Sequence, residues 1–183
     1  MQTLGFNVTV IMEQYPTHNR WQPQQWRAVE VLPDEGMMLA PARLASVPGT
    51  IRVAHPGLQL GIFRDEGEGY YLNIHAPEPA IFVIWRLDEA PGDADMEAIP
   101  HSLTLSYNEA ARRMDAQEKV DRVPMPRQLL ETLREWVDVH YQPPQKKQRI
   151  RPSSFQRKEG RKDSLDAITG ISTDPNLRRR DES

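Results

Sequence analysis

Residues 80–87 read Ala-Ile-Phe-Val-Ile-Trp-Arg-Leu, and this run decides the fold. Six consecutive apolar residues, from Ala80 to Trp85, precede the first charge at Arg86. A short run that is apolar on both faces, rich in β-branched and aromatic residues and preceded by Pro79, is typical of a strand with both faces covered. We therefore predict that Ala80–Leu87 is the central strand of a sheet.

Shorter segments on both sides of this run also have strand character. They are rich in β-branched residues or alternate in polarity, and Gly, Pro and Asp separate them. The acidic stretch 65–69, Asp-Glu-Gly-Glu-Gly, is predicted to be the turn of a hairpin, and residues 37–49 to be irregular. The predicted strands cover residues 6–12, 26–32, 51–54, 58–63, 70–74 and 103–107.

The hydrophobic period changes in the C-terminal part of the chain. Ser106 and Glu109 have the spacing of a capping box, which predicts the start of a short helix. A second helix is predicted to begin after Pro126, a residue suited to a first helical turn. Its apolar stripe follows helical spacing through Leu129, Leu130, Leu133, Trp136, Val137 and His140.

These elements predict an α+β domain. Its sheet is mainly antiparallel, because no helix separates successive strands, and it could curl into a partly open barrel. The C-terminal helices are expected to pack on this sheet.

The charge distribution divides the chain into two parts. Residues 1–141 carry 12 Lys and Arg against 20 Asp and Glu, a net charge of −8, whereas residues 142–183 carry 11 against 6, a net charge of +5. The second part is rich in Pro and basic residues and poor in apolar ones, which predicts a disordered basic tail after a single domain of residues 1–141. A folded body with an oppositely charged arm is more typical of a binding protein than of a self-contained enzyme.

Several classes of function are excluded or disfavoured. The chain has no cysteine, which removes disulfides, thiolate metal sites and cysteine nucleophiles. Neither a signal peptide nor an apolar run of membrane-spanning length is present, so we expect a cytoplasmic protein that does not enter a membrane. Phosphate-binding glycine loops and the serine-hydrolase elbow are also missing from the sequence.

Two sets of side chains are candidates for chemistry. His75 and His101 lie at predicted strand ends and could form a metal site with Asp65 or Glu66, although surface histidines are the simpler interpretation. Aromatic and arginine residues dominate binding hot spots, so residues of these types are the candidates for a partner-binding surface, although a tryptophan on a predicted strand is more often part of the core. These candidates are Trp21, Trp26, Arg27, Arg64, Tyr71 and Arg86.

Several segments together resemble a bacterial family of unknown function, whose members are typically encoded beside molybdenum-dependent formate dehydrogenase genes. The likeness covers residues 6–141 and is carried by residues 26–33, 63–66, 69–73, 77–79, 82–86, 106–112, 123–126 and 140–141.

Members of that family are sometimes labelled molybdopterin-guanine dinucleotide biosynthesis protein A. A nucleotidyl transferase of that kind would have a glycine-rich N-terminal loop, and residues 6–12 are not followed by one. We therefore reject nucleotidyl transfer for this chain.

The resemblance implies a non-catalytic accessory or maturation protein, without a bound cofactor, that binds a subunit or a maturation factor of the dehydrogenase. A metal- or small-molecule-binding enzyme is one alternative. Nucleic-acid binding through the basic tail is another, and the acidic body disfavours it. The sequence leaves the oligomeric state open.

Overall fold

The computed structural model describes residues 2–21, 23–88 and 97–144. This part of the chain forms seven strands, a 3₁₀ turn and three α-helices. In chain order they are β1 (Gln2–Pro16), β2 (Gln24–Pro33), β3 (Ala42–Leu44), β4 (Ile51–Phe63), the 3₁₀ turn (Arg64–Glu66), α1 (Gly67–Ile74), β5 (Ala80–Leu87), β6 (Ala98–Thr104), α2 (Tyr107–Asp115), β7 (Lys119–Pro124) and α3 (Arg127–His140).

The strands pair into two antiparallel sheets rather than one. The first sheet has the order β2-β1-β4-β3 and the second has the order β6-β5-β7. The neighbouring edges β2 and β7 are linked by a side chain, since the backbone N–H of Ala28 donates to Asp121 Oδ2 at 2.7 Å. The prediction of an α+β fold with a mainly antiparallel sheet is confirmed, but the strands described do not close into a barrel.

Strand β5 occupies the central position predicted for it. It pairs with β6 on one side and β7 on the other, and Ala80 to Trp85 are buried. Ile81, Val83 and Trp85 belong to the main core. Phe82 lies on the opposite face, where its ring meets the ring of Tyr107 in α2 edge-on, with 6.1 Å between the ring centres. The run is apolar on both faces because both faces are covered.

Strand β4 unites two segments that the sequence predicts to be separate strands. The intervening His-Pro-Gly sequence forms a bulge, at which the pairing with β1 shifts register between Val8 and Val10. Gly57 has a φ of 78°, a left-handed conformation that glycine adopts without steric cost, and its N–H donates to Asp34 Oδ2 at 2.9 Å. The chain therefore turns locally without leaving the sheet.

Helix α1 corrects the prediction of an acidic hairpin turn followed by a strand over residues 70–74. Tyr70, Asn73 and Ile74 are buried, and this spacing is helical. The Asn73 amide donates to the carbonyls of Ala80 and Leu105 and accepts from the Ala80 N–H, so α1 is fixed to the ends of β5 and β6. Five residues are too few for the hydrophobic pattern to distinguish the period of a strand from that of a helix. The buried contacts of Tyr70, Asn73 and Ile74 favour the helix.

Helices α2 and α3 form as predicted. The N–H of Glu109 donates to Ser106 Oγ at 3.1 Å, which confirms the cap of α2. Leu133, Trp136 and Val137 form the buried stripe of α3, and the Trp136 ring meets the ring of Tyr70 edge-on at 5.6 Å. Helix α3 therefore packs chiefly against α1, and both helices contribute residues to the main core.

Two predictions fall on residues outside the described part of the chain. The predicted disordered tail is described only to Pro144. Residues 88–97, an acidic stretch that the sequence predicts to be a loop, are described only at Asp88 and Glu97.

Candidate functional site

The loop between β1 and β2, residues 17–23, presents an exposed tryptophan. The N–H of Thr17 donates to the carbonyl of Pro23 at 2.8 Å, which closes the base of the loop. The N–H of Trp21 donates to Asn19 Oδ1 at 3.0 Å, an arrangement in which asparagine stabilises a turn. The side chain of Trp21 is nevertheless 89% exposed. The hairpin loop thus holds a large aromatic side chain at the surface on a backbone fixed by hydrogen bonds.

A cleft of about 380 Å³ opens next to this loop and is lined chiefly by residues of β2 and β7. We call it the sheet-edge cleft. Its lining is mixed, with aromatic rings, amides, two cations and one half-buried carboxyl. The lining residues are Tyr15, Gln24, Gln25, Trp26, Arg27, Trp85, Leu87, Lys119, Val120 and Asp121.

Arg27 is held at the rim of the sheet-edge cleft by a buried carboxylate. Glu13 of β1 lies opposite Arg27 of β2 and opposite Arg52 of β4, and forms ion pairs with them at 2.7 Å and 2.8 Å. The hydrogen bond from Arg27 is the main cause of a lowered pKa at Glu13; burial opposes it and Arg52 adds to it. The guanidinium of Arg27 also lies 4.6 Å from the centre of the Tyr15 ring, so its position is fixed although half of its side chain is exposed.

Asp121 and Lys119 form the opposite wall of the cleft. Burial raises the pKa of Asp121, and the hydrogen bond from Ala28, the indole of Trp85, Lys119 and Arg27 oppose that rise. The buried indole N–H of Trp85 makes no hydrogen bond of normal geometry, although it is close enough to affect this carboxyl. The ammonium of Lys119 lies 5.0 Å from the centre of the Trp85 ring. Both cations of the cleft are therefore positioned on aromatic faces.

A second, wider cleft of about 740 Å³ adjoins the first and shares Trp85, Leu87 and Lys119 with it. Arg86 lines it, as does His101, whose Nε2 lies 3.5 Å from Glu118 Oε2. Gln117, also in its lining, has a φ of 63°, a left-handed conformation that is uncommon for a residue with a Cβ atom.

The structure brings together some of the partner-binding candidates and separates others. Trp26 and Arg27 share the sheet-edge cleft, Trp21 lies on the adjoining loop, and Arg86 lines the neighbouring cleft. Arg64 is exposed on the 3₁₀ turn, and Tyr71 is half-buried in α1. Neither of these two lines either cleft.

The metal-ligand candidates occupy different places in the fold. His75 ends α1, where its Nδ1 lies 2.8 Å from the carbonyl of Tyr71. Glu66 accepts hydrogen bonds from Ser106 and Arg112, and Asp65 is exposed on the same 3₁₀ turn. Within the residues that the structure describes, no three His, Asp or Glu side chains are grouped so as to hold a metal ion.

Sequence reasoning missed the second wall of the sheet-edge cleft. Lys119 and Asp121 belong to β7, which the sequence prediction left unassigned between the two helices. The alternation of Val120 with charged neighbours is a weak signal of a strand, and nothing in it indicates a contact with Ala28, 93 residues earlier. None of the helices described is long and apolar enough to cross a membrane.

Comparisons with known proteins identify the family of this chain but do not identify an activity. Searches of curated proteins and of solved structures found no match to this chain. A family model described as protein of unknown function (DUF3305) matches residues 7–151, which include every strand from β2 onward and all three helices. The chain therefore belongs to the DUF3305 family.

Proposed function

We propose that this protein is a non-catalytic accessory protein that acts in the cytoplasm by binding a subunit or a maturation factor of a molybdenum-dependent formate dehydrogenase. The class of partner rests on the family resemblance described above. The observation that carries the binding role is Trp21, which is 89% exposed on a loop with a hydrogen-bonded backbone.

An exposed tryptophan in this setting is suited to binding. Burial of its indole removes a large apolar area from water, and the fixed backbone reduces the entropy that is lost on association. Arg27, fixed by Glu13 and Tyr15, stands at the same end of the first hairpin. Tryptophan and arginine are the residue types enriched in interface hot spots, which supports a partner at this end of the body.

The test is a pull-down from the native organism grown with molybdate and formate, with the full-length protein as bait and mass spectrometry as readout. Wild type is expected to recover a formate dehydrogenase subunit or a maturation factor. Trp21→Ala is expected to reduce that recovery by about tenfold or more, the effect of losing a hot-spot side chain.

Val139→Ala is the matched control, because Val139 is also an apolar side chain with high exposure, 78%, but lies on α3. We expect this variant to recover the partner as wild type does. If both variants recover the partner fully, Trp21 is not part of the interface. If no dehydrogenase component is recovered from cells that express the enzyme, the accessory role is wrong.

A further inference from the structure

We propose that the sheet-edge cleft binds an acidic peptide segment of the partner protein, with Arg27 and Lys119 pairing with its carboxylates. This inference rests on the proposed function and specifies the chemistry of the partner. The body is acidic, as residues 1–141 carry a net charge of −8. The lining of the cleft holds two cations, Arg27 and Lys119, against the single carboxyl of Asp121, so its net charge is opposite in sign to that of the body and suits an acidic ligand.

The two cations are positioned before any ligand arrives. Arg27 is oriented by its ion pair with Glu13 and by the Tyr15 ring, yet its side chain is 53% exposed. Lys119 lies over the Trp85 ring. Both line the cleft together with Asp121, and both oppose the rise that burial causes in the pKa of that carboxyl. Side chains held in this way lose little conformational entropy when they form an ion pair.

The remainder of the lining favours a peptide over a phosphate-rich ligand. Asp121 lies in the same cleft, and its carboxyl would repel a dianionic phosphate more strongly than a single carboxylate. Trp26, Leu87 and Val120 offer apolar surface on which the side chains of a peptide could pack. The amide of Gln24, which is exposed, offers donors and an acceptor that suit a peptide backbone, whereas Gln25 Oε1 already accepts from the Tyr15 hydroxyl at 3.2 Å.

The hairpin loop adjoins the cleft along the chain. Trp21 is three residues from Gln24, so their Cα atoms lie within about 11 Å of each other. One partner segment could therefore contact the indole and the cleft together. Such a segment would carry acidic residues next to an apolar or aromatic one.

The experiment uses the full-length protein and a photoreactive octapeptide of alternating glutamate and leucine, with a peptide of glutamine and leucine as the control ligand. Crosslinked sites are mapped by mass spectrometry, because the basic residues of the tail could also attract an acidic peptide. We expect the glutamate peptide to label residues 24–27 and 119–121. Arg27→Gln and Lys119→Gln should each reduce that labelling by about fivefold or more.

Arg52→Gln is the matched control, because Arg52 pairs with the same Glu13 and carries the same charge but does not line the cleft. It should leave labelling of the cleft within about twofold of wild type, while circular dichroism verifies that all variants are folded. The inference fails if labelling is confined to the tail, if the glutamine peptide labels the cleft equally, or if Arg52→Gln is as damaging as Arg27→Gln. It also fails if inorganic phosphate displaces the peptide at concentrations at which acetate does not.

The outcome is separable from the test of the proposed function. If labelling of the cleft is not specific but recovery of the partner still depends on Trp21, the acidic-peptide site is wrong and the accessory role stands. Specific labelling of the cleft, with no dehydrogenase component recovered by the wild-type bait, would keep the acidic-peptide site and remove the accessory role.

Discussion

The carboxyl of Asp121 is subject to opposing influences on its charge state. It caps the edge of β2 by accepting the N–H of Ala28, and it also lines the sheet-edge cleft. Burial favours the neutral form and raises its pKa, whereas the hydrogen bond and the nearby cations favour the ionised form. A carboxyl with a raised pKa binds a proton in the folded state at a pH where the unfolded chain has released it. The free energy of unfolding therefore falls as the pH rises above the ordinary aspartate range.

This sign gives a prediction for Asp121→Asn. Asparagine still accepts the Ala28 N–H but cannot ionise, so the variant should gain stability relative to wild type as the pH rises from about 4 to 7. Urea unfolding at both pH values measures the difference. Asp121→Ala is the contrasting variant, since it leaves the N–H without its acceptor and should cost about 1–3 kcal/mol throughout. A difference between Asn and wild type that shrinks towards neutral pH would contradict the assignment.

At the scale of elements, α1 depends on a close approach that only glycine permits. A Cβ atom on Gly69 would lie about 2.0 Å from the hydroxyl oxygen of Ser106 and 3.2 Å from the backbone nitrogen of Asn108. That hydroxyl caps α2 and donates to Glu66, so it cannot move without loss of both bonds. Helices α1 and α2 are therefore in contact where Gly69 packs against Ser106, the residue that caps α2.

Gly69→Ala should therefore destabilise the protein by about 2 kcal/mol, because overpacking costs more than the gain of about 1 kcal/mol in helix propensity. Gly67→Ala is the matched control, two residues earlier in the same helix. Its Cβ would meet the Tyr141 side chain at 3.0–3.3 Å, and a ring that is only half-buried can shift. Denaturant midpoints should then place Gly67→Ala within about 1 kcal/mol of wild type. Equal losses in both variants would show that crowding at Ser106 is not the cause.

Elements that depend on local sequence patterns were predicted correctly, and helix α1, which depends on distant contacts, was not. The run Ala80–Leu87, the cap at Ser106 and the stripe of α3 are local patterns, and each led to a correct prediction. Helix α1 was mistaken for a hairpin because two glycines near acidic residues usually indicate a turn. Here they allow close packing against side chains that are 35 or more positions away.

The candidate site was predictable in part for the same reason. Trp21, Trp26 and Arg27 lie close together in the sequence, and all three are among the predicted partner-binding residues. Lys119 and Asp121 reach the cleft only through the meeting of two sheets, and the fixed position of Arg27 depends on the register of β1 with β2. No local pattern contains that information.

At the scale of the whole molecule, the chain combines an acidic body with a basic C-terminal segment. If the partner presents an acidic segment to the sheet-edge cleft, the basic residues that follow the body should increase the rate of encounter more than the affinity. Lys146, Lys147 and Arg149 are the basic residues nearest in sequence to the end of α3. A charge on a shorter tether has a higher effective concentration at the body, so we expect these three residues to contribute most to the attraction.

Replacing these three residues with glutamine in the full-length protein should slow association with the captured partner several-fold at low ionic strength. At about 1 M salt, where charges are screened beyond roughly 3 Å, the variant and wild type should associate at the same rate. Glutamine at Arg178, Arg179 and Arg180 removes the same charge about thirty residues farther along the chain and should slow association less. Stopped-flow or surface-plasmon measurements across a salt series would decide the matter. Equal slowing by both triple variants would indicate that only net charge matters, and slowing that persists at high salt would indicate a direct contact instead of steering.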